Sequence, residues 1–127
     1  MKRSARPLIF TWKAVLILIL LTLCCLYPRT SFATSPQDVK LEYDASTQML
    51  TVTITHPSAF PNFHYIKYVA IRKDGADVTK NTYENQPDQA TFTYTYKVPA
   101  AEGETLEVTA TCNMYGYKTV NLTVGKK

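Results

Sequence analysis

Residues able to carry chemistry are scarce in this chain. Its 127 residues include two histidines and three cysteines, and two of those cysteines, Cys24 and Cys25, fall in an apolar N-terminal segment. Beyond that segment there is a single thiol, Cys112, which excludes an internal disulfide. No Ser-His-Asp or Cys-His-Asn nucleophile set is apparent. No linker, repeat or low-complexity tract divides the remainder, which reads as one small domain. Helical periodicity of useful length is also missing there, so helices are not expected to build the core.

The N-terminal segment is a different kind of sequence. Lys2, Arg3 and Arg6 precede an apolar run from Ala14 to Tyr27, and the segment closes on the small-x-small triplet Ser31-Phe32-Ala33. A basic start, a short apolar middle and a small-residue exit are the parts of a secretory signal peptide. The apolar run is shorter than the roughly 20 residues that span a bilayer. Residues 1–33 are therefore expected to be a signal peptide and residues 34–127 an exported domain, periplasmic or extracellular. Two alternatives stay open: an uncleaved leader acting as a short membrane anchor, and lipid attachment at Cys24. The string Leu21-Thr22-Leu23-Cys24 places the large Leu23 where lipid attachment favours a small residue. A membrane contact is expected only through an uncleaved leader.

Removing the leader changes the charge. The whole chain has 14 Lys+Arg and 10 Asp+Glu. Lys2, Arg3, Arg6, Lys13 and Arg29 belong to the leader and all the acidic residues follow it, so the domain carries 14 − 5 = 9 basic against 10 acidic groups, a net −1. The excess of positive charge therefore belongs to the leader. Nothing in the domain suggests the phosphate-binding surface that nucleic acids require.

The domain is dominated by alternation with period two. Leu50, Val52 and Ile54 alternate with Thr51, Thr53 and Thr55; Phe92, Tyr94 and Tyr96 alternate with threonines. Leu106, Val108, Ala110 and Cys112 form another such face, and Val120, Leu122 and Val124 a fourth. Branched and aromatic residues in this pattern suit half-buried strands. Turn signals separate them: Asp44-Ala45-Ser46, Pro57 and Pro61, Asp74-Gly75, Asn85–Asp88, Pro99–Gly103 and Asn113–Gly116. The spacing predicts an all-β, immunoglobulin-like antiparallel β-sandwich of about seven strands.

Alternation also places the scarce residues. Cys112 and His56 each continue an inward-facing row at a strand end, and His64 precedes the strand that starts near Tyr65. Side chains from separate strand ends can converge at one mouth of a sandwich. Imidazoles with a thiolate suit iron, copper or zinc and do not suit calcium or magnesium. The plainer reading makes Cys112 a small buried hydrophobe and the histidine beside Pro57 a turn residue. Met114 hints at copper, but no histidine follows Cys112. The tyrosines (Tyr65, Tyr68, Tyr94, Tyr96, Tyr117) either form a binding surface or fill the sandwich and its cross-strand pairs.

The string Cys112-Asn113-Met114-Tyr115-Gly116-Tyr117 resembles the C-N-x-H-G-[LW] segment of superoxide reductases and desulfoferrodoxins. His56-Pro57 and His64-Tyr65-Ile66 are similar to that family's H-P-x-x-x-x-H-[YH]-I segment, with a loop two residues longer. The resemblance covers about Val39 to Val124. It implies a mononuclear, non-haem iron site with Cys112 as axial ligand and His56 and His64 as equatorial ligands. It further implies superoxide as substrate, reduced to hydrogen peroxide, and an electron donor that the sequence does not identify. Two positions depart from the pattern: Tyr115 stands where the family has its last histidine, and Thr34–Asp44 has none. Tyr115 is thus either a phenolate ligand or a turn residue before Gly116. The competing reading is a non-enzymatic binding module that keeps the scaffold and has lost the iron site.

Overall fold

The computed structural model describes residues 9–25 and 35–125. The chain divides into two compact units, Met1–Phe32 and Ala33–Lys127. In the first, α1 runs from Ile9 to Cys25. Its Val15–Leu21 side chains are all exposed, so no face is reserved for a core. The hydroxyl of Thr22, the next residue, is satisfied locally by the carbonyls of Leu18 and Ile19. Among the described residues no helix is long and apolar enough to cross a membrane. The basic start and the Ser31-Phe32-Ala33 exit expected of a leader lie outside the described residues.

The second unit contains seven strands: β1 (Asp38–Asp44), β2 (Met49–Thr55), β3 (Ile66–Lys73), β4 (Ala76–Thr82), β5 (Thr91–Lys97), β6 (Thr105–Cys112) and β7 (Tyr117–Thr123). All pairings are antiparallel, in a three-stranded sheet ordered β1-β2-β5 and a four-stranded sheet ordered β4-β3-β6-β7. This is the expected sandwich. The inward rows are those set by alternation: Leu50, Val52 and Ile54 on β2 and Leu106, Val108 and Ala110 on β6 are fully buried. Val69 and Ile71 on β3 complete the middle of the core. Each of these valines, leucines and isoleucines contributes about 1.5–3 kcal/mol by leaving water.

Turn chemistry is as local as the sequence suggests. Asp74 and Gly75 both have positive φ, at 47° and 83°, the pair that a two-residue type I′ hairpin needs between Lys73 and Ala76. β4 departs from the alternating rule because it is an edge strand with most of its residues exposed. Its place follows from its ladder with β3, not from a hydrophobic row. On the other side of the sandwich, the Tyr43 hydroxyl donates to the carbonyl of Val98 at 2.8 Å and accepts from the amide of Ala100 at 3.1 Å, holding the β5–β6 connection against β1.

Candidate metal centre

His56 is the first residue beyond β2, and its register is kept by continued pairing. Its amide donates to the carbonyl of Ala90 at 2.8 Å, and that of Ser58 donates to Gln89 at 2.7 Å. The β2 edge thus runs on past Thr55, and His56 keeps the inward direction of Ile54 with 1% of its surface exposed. Cys112 ends the inward row of β6 and is 5% exposed. His64 arrives by a turn: the amides of Phe63 and His64 both donate to the carbonyl of Phe60 at 2.9 Å, reversing the loop just before β3. It is half-buried.

These three residues meet. One ligand atom from each of His56, His64 and Cys112 lies within 4.8 Å of the others. The two imidazole rings contact edge to face, with centroids 4.5 Å apart. Donors around one ion with bonds near 2.0–2.3 Å are roughly 3.3–4 Å apart, so the widest pair would close by about an ångström. Tyr115, the fourth candidate from the sequence, sits in the β6–β7 turn with 75% of its surface exposed.

Two neighbours not singled out by sequence hold the cluster. The Asn113 side chain accepts from the amide of Tyr65 at 2.9 Å and donates to the carbonyl of Phe63 at 2.8 Å, so it grips the chain on both sides of His64. The backbone amide of Asn113 donates to Tyr65 as well, at 3.0 Å. The second is Gln86, whose Oε1 lies 2.7 Å from Nδ1 of His56. Asn113 follows Cys112 in the string that resembles C-N-x-H-G and in the turn Asn113–Gly116, and neither pattern shows its bonds to the His64 loop. Gln86 lies in a Pro-containing stretch whose composition signals a loop and nothing more.

The sulfur also has a defined setting. The amide of Met114 points at Sγ of Cys112 from 3.4 Å, and the amide of Cys112 donates to the carbonyl of Gly116 at 3.0 Å. The sulfur itself faces Oδ1 of Asn113 at 3.8 Å, so it sits between one donor and one acceptor. Next to it, Ile66 pairs with Cys112 but Tyr68 with Thr111, so Lys67 is an extra residue in β3 and the ladder is bulged beside the thiol. A bulge bends its strand and re-aims nearby side chains.

The donor chemistry fits a transition ion that takes both sulfur and nitrogen, namely iron, copper or zinc. This sequence contains two histidines, so it offers at most two imidazoles, beside the thiol of Cys112. A groove at the opposite end of the domain, lined by Glu42, Asp44 and Glu102 among others, contains neither imidazole nor thiol.

No protein-family model matches the chain, and no curated protein does. Several solved structures are similar to it. A superoxide reductase (neelaredoxin) from Ignicoccus hospitalis is 16% identical, with a TM-score of 0.48, over 72% of this chain and 82% of that one. The reduced form of the superoxide reductase (neelaredoxin) from Archaeoglobus fulgidus is 14% identical, with a TM-score of 0.44, over 72% of this chain and 89% of its own. The superoxide reductase from Nanoarchaeum equitans is 15% identical, with a TM-score of 0.42, over 75% and 97% respectively. Likeness at this level concerns the fold alone.

Proposed function

We propose that residues 34–127 are an exported metal-binding domain of the superoxide reductase type, with one iron ion held by the thiolate of Cys112 and the imidazoles of His56 and His64. The observation that carries this reading is the meeting of two imidazoles and one thiol, from three separate strand ends, within 4.8 Å. Two histidines are all that the chain has, and chance placement would scatter them. The order of the segments, histidine-proline, then histidine-tyrosine-isoleucine, then cysteine-asparagine, supports the same reading. Tyr115 is the remaining donor candidate from this chain.

A ferrous ion at this position would supply one electron to superoxide, which with two protons gives hydrogen peroxide, and an external one-electron donor would restore it. The protein's share is to hold and shield. Burial of His56 and Cys112 keeps water from two of the donors, while the half-buried His64 marks the side open to solvent. The Met114 amide, 3.4 Å from Sγ, holds the sulfur in place.

Anaerobic titration with ferrous iron tests the proposal. The full chain should bind one ion per molecule and, on oxidation, show a sulfur-to-iron charge-transfer band. Cys112→Ala should abolish both. If Cys112→Ala binds as tightly as the parent, the thiolate is not a ligand and the proposal fails. No binding at micromolar iron would leave only the scaffold. Steady-state consumption of superoxide then separates a reductase from a passive iron binder.

A further inference from the structure

We infer that Gln86 is a positioning residue that fixes the tautomer of His56 and presents its Nε2 to the metal. The inference rests on the metal reading above and concerns how that site is built. Gln86 is 4% exposed, one of three buried polar side chains among the described residues, and His56 is another. A buried primary amide needs partners for every polar atom. Gln86 has them. Its Nε2 donates to the carbonyl of His56 at 2.9 Å and to the carbonyl of Asp88 at 2.8 Å. Its Oε1 faces Nδ1 of His56 at 2.7 Å.

This pattern settles which way round the amide stands. Rotating it by half a turn would set Oε1 against two carbonyl oxygens, losing two hydrogen bonds and adding repulsion. Oε1 must therefore be the atom that meets the ring, and an amide oxygen can only accept. Nδ1 of His56 consequently carries the proton and donates. A neutral imidazole protonated on Nδ1 has its lone pair on Nε2, which is then the ring nitrogen able to bind a metal. Metal-bound histidines commonly give their other N–H to such a partner, which fixes the ring and raises its basicity.

Gln86 also joins the two histidine-bearing segments. Its backbone amide donates to the carbonyl of Pro61 at 3.2 Å, within the loop that leads to His64. Its side chain holds the backbone of His56 and the ring at once. One residue of the β4–β5 connection thereby sets both the angle of one imidazole and the path toward the other.

The test needs two measurements. Long-range proton–nitrogen NMR of the metal-free full chain reads the tautomer directly, and it is expected to show His56 protonated on Nδ1. In Gln86→Leu, with folding confirmed by its amide spectrum, that preference should be lost. Its dissociation constant for ferrous iron should rise by about 10–100-fold. A parent His56 protonated on Nε2 would overturn the inference, and so would a folded Gln86→Leu that binds iron like the parent. If Gln86→Leu does not fold, the tautomer of the parent still decides. Failure of the parent to bind iron would remove the metal reading instead, with the tautomer result showing separately whether Gln86 controls the ring.

Discussion

Gly116 shows what a single residue decides at this site. Its φ is +85°, and a Cβ added there would lie 2.5 Å from the Cβ of Ser35 and 3.0 Å from its Cα. Two penalties then act together, left-handed backbone and a clash with main chain. Gly103, at φ +88°, has open space around the same position. Gly103→Ala should cost about 1 kcal/mol from backbone conformation alone. Gly116→Ala should cost about 2–4 kcal/mol, because Ser35 must also shift. Urea unfolding of the two variants checks the difference, and equal losses would show that the Ser35 contact has no weight. The carbonyl of Gly116 receives the amide of Cys112, so the same turn sets the position of the thiol. At this scale the direction of Cys112 and His56 was legible, since each extends an alternating apolar row. The Ser35 approach and the role of Gln86 were not, because both depend on segments far apart in sequence.

At the level of elements, the site depends on loops tied to strand ends. The 57–65 loop carries His64, and its docking to the end of β6 runs through Asn113. In Asn113→Ala both side-chain bonds disappear, leaving the Tyr65 amide and the Phe63 carbonyl to find water. Stability should fall by about 1–2 kcal/mol. The affinity for ferrous iron should fall by roughly tenfold or more, because His64 loses its fixed approach. Tyr117→Ala, an exposed change nearby, serves as control. Iron affinity unchanged in Asn113→Ala would mean that the loop holds His64 without this clamp. The strands themselves were mostly readable. β2, β5 and β6 each announce one face by alternation, and Asp74-Gly75 announces its hairpin. β4 has no apolar row, since it is an exposed edge, and its bounds emerge only from pairing with β3. The bulge at Lys67 left no sign either, because an extra residue in a ladder is a relation between two strands.

On the scale of the whole domain, the sandwich has two kinds of side. β1 and β7 approach each other at one side. Tyrosines from β5 and the end of β4 pack against the core at the other. Tyr83 stacks on Tyr94 with centroids 4.3 Å apart, and its hydroxyl lies 2.7 Å from that of Tyr96. Of the two roles open to these tyrosines, Tyr94 and Tyr96 fill the sandwich, while Tyr117 is 68% exposed. Burial, reinforced by the proximity of Tyr83, pushes the Tyr94 phenol up from 10.0 to about 12. Tyr96 is raised too, first by burial and then by its bond to Tyr83. The sign for stability follows. Below pH 10 both folded and unfolded chains keep these protons; above it the unfolded chain releases them first. Stability should therefore be intact below about pH 10 and decline as pH rises further. Tyr96→Phe should show a shallower alkaline decline, at a cost of about 1 kcal/mol near neutrality for the lost hydroxyl bond. Urea unfolding across pH 8–11.5 checks both, and a flat profile for the parent would contradict the burial of the phenols.

What the linear chain determined by itself is the class of fold and the inward direction of its scarce donors. Period-two alternation is written residue by residue, and it decides which side of a strand meets water without reference to any partner. Only the tertiary structure decided that His56, His64 and Cys112 share one mouth, and that Gln86 and Asn113 support them. Most of those relations join positions 30 or more residues apart, across two sheets. They come from strand order and from buried polar groups satisfying one another, and neither leaves a local pattern to read.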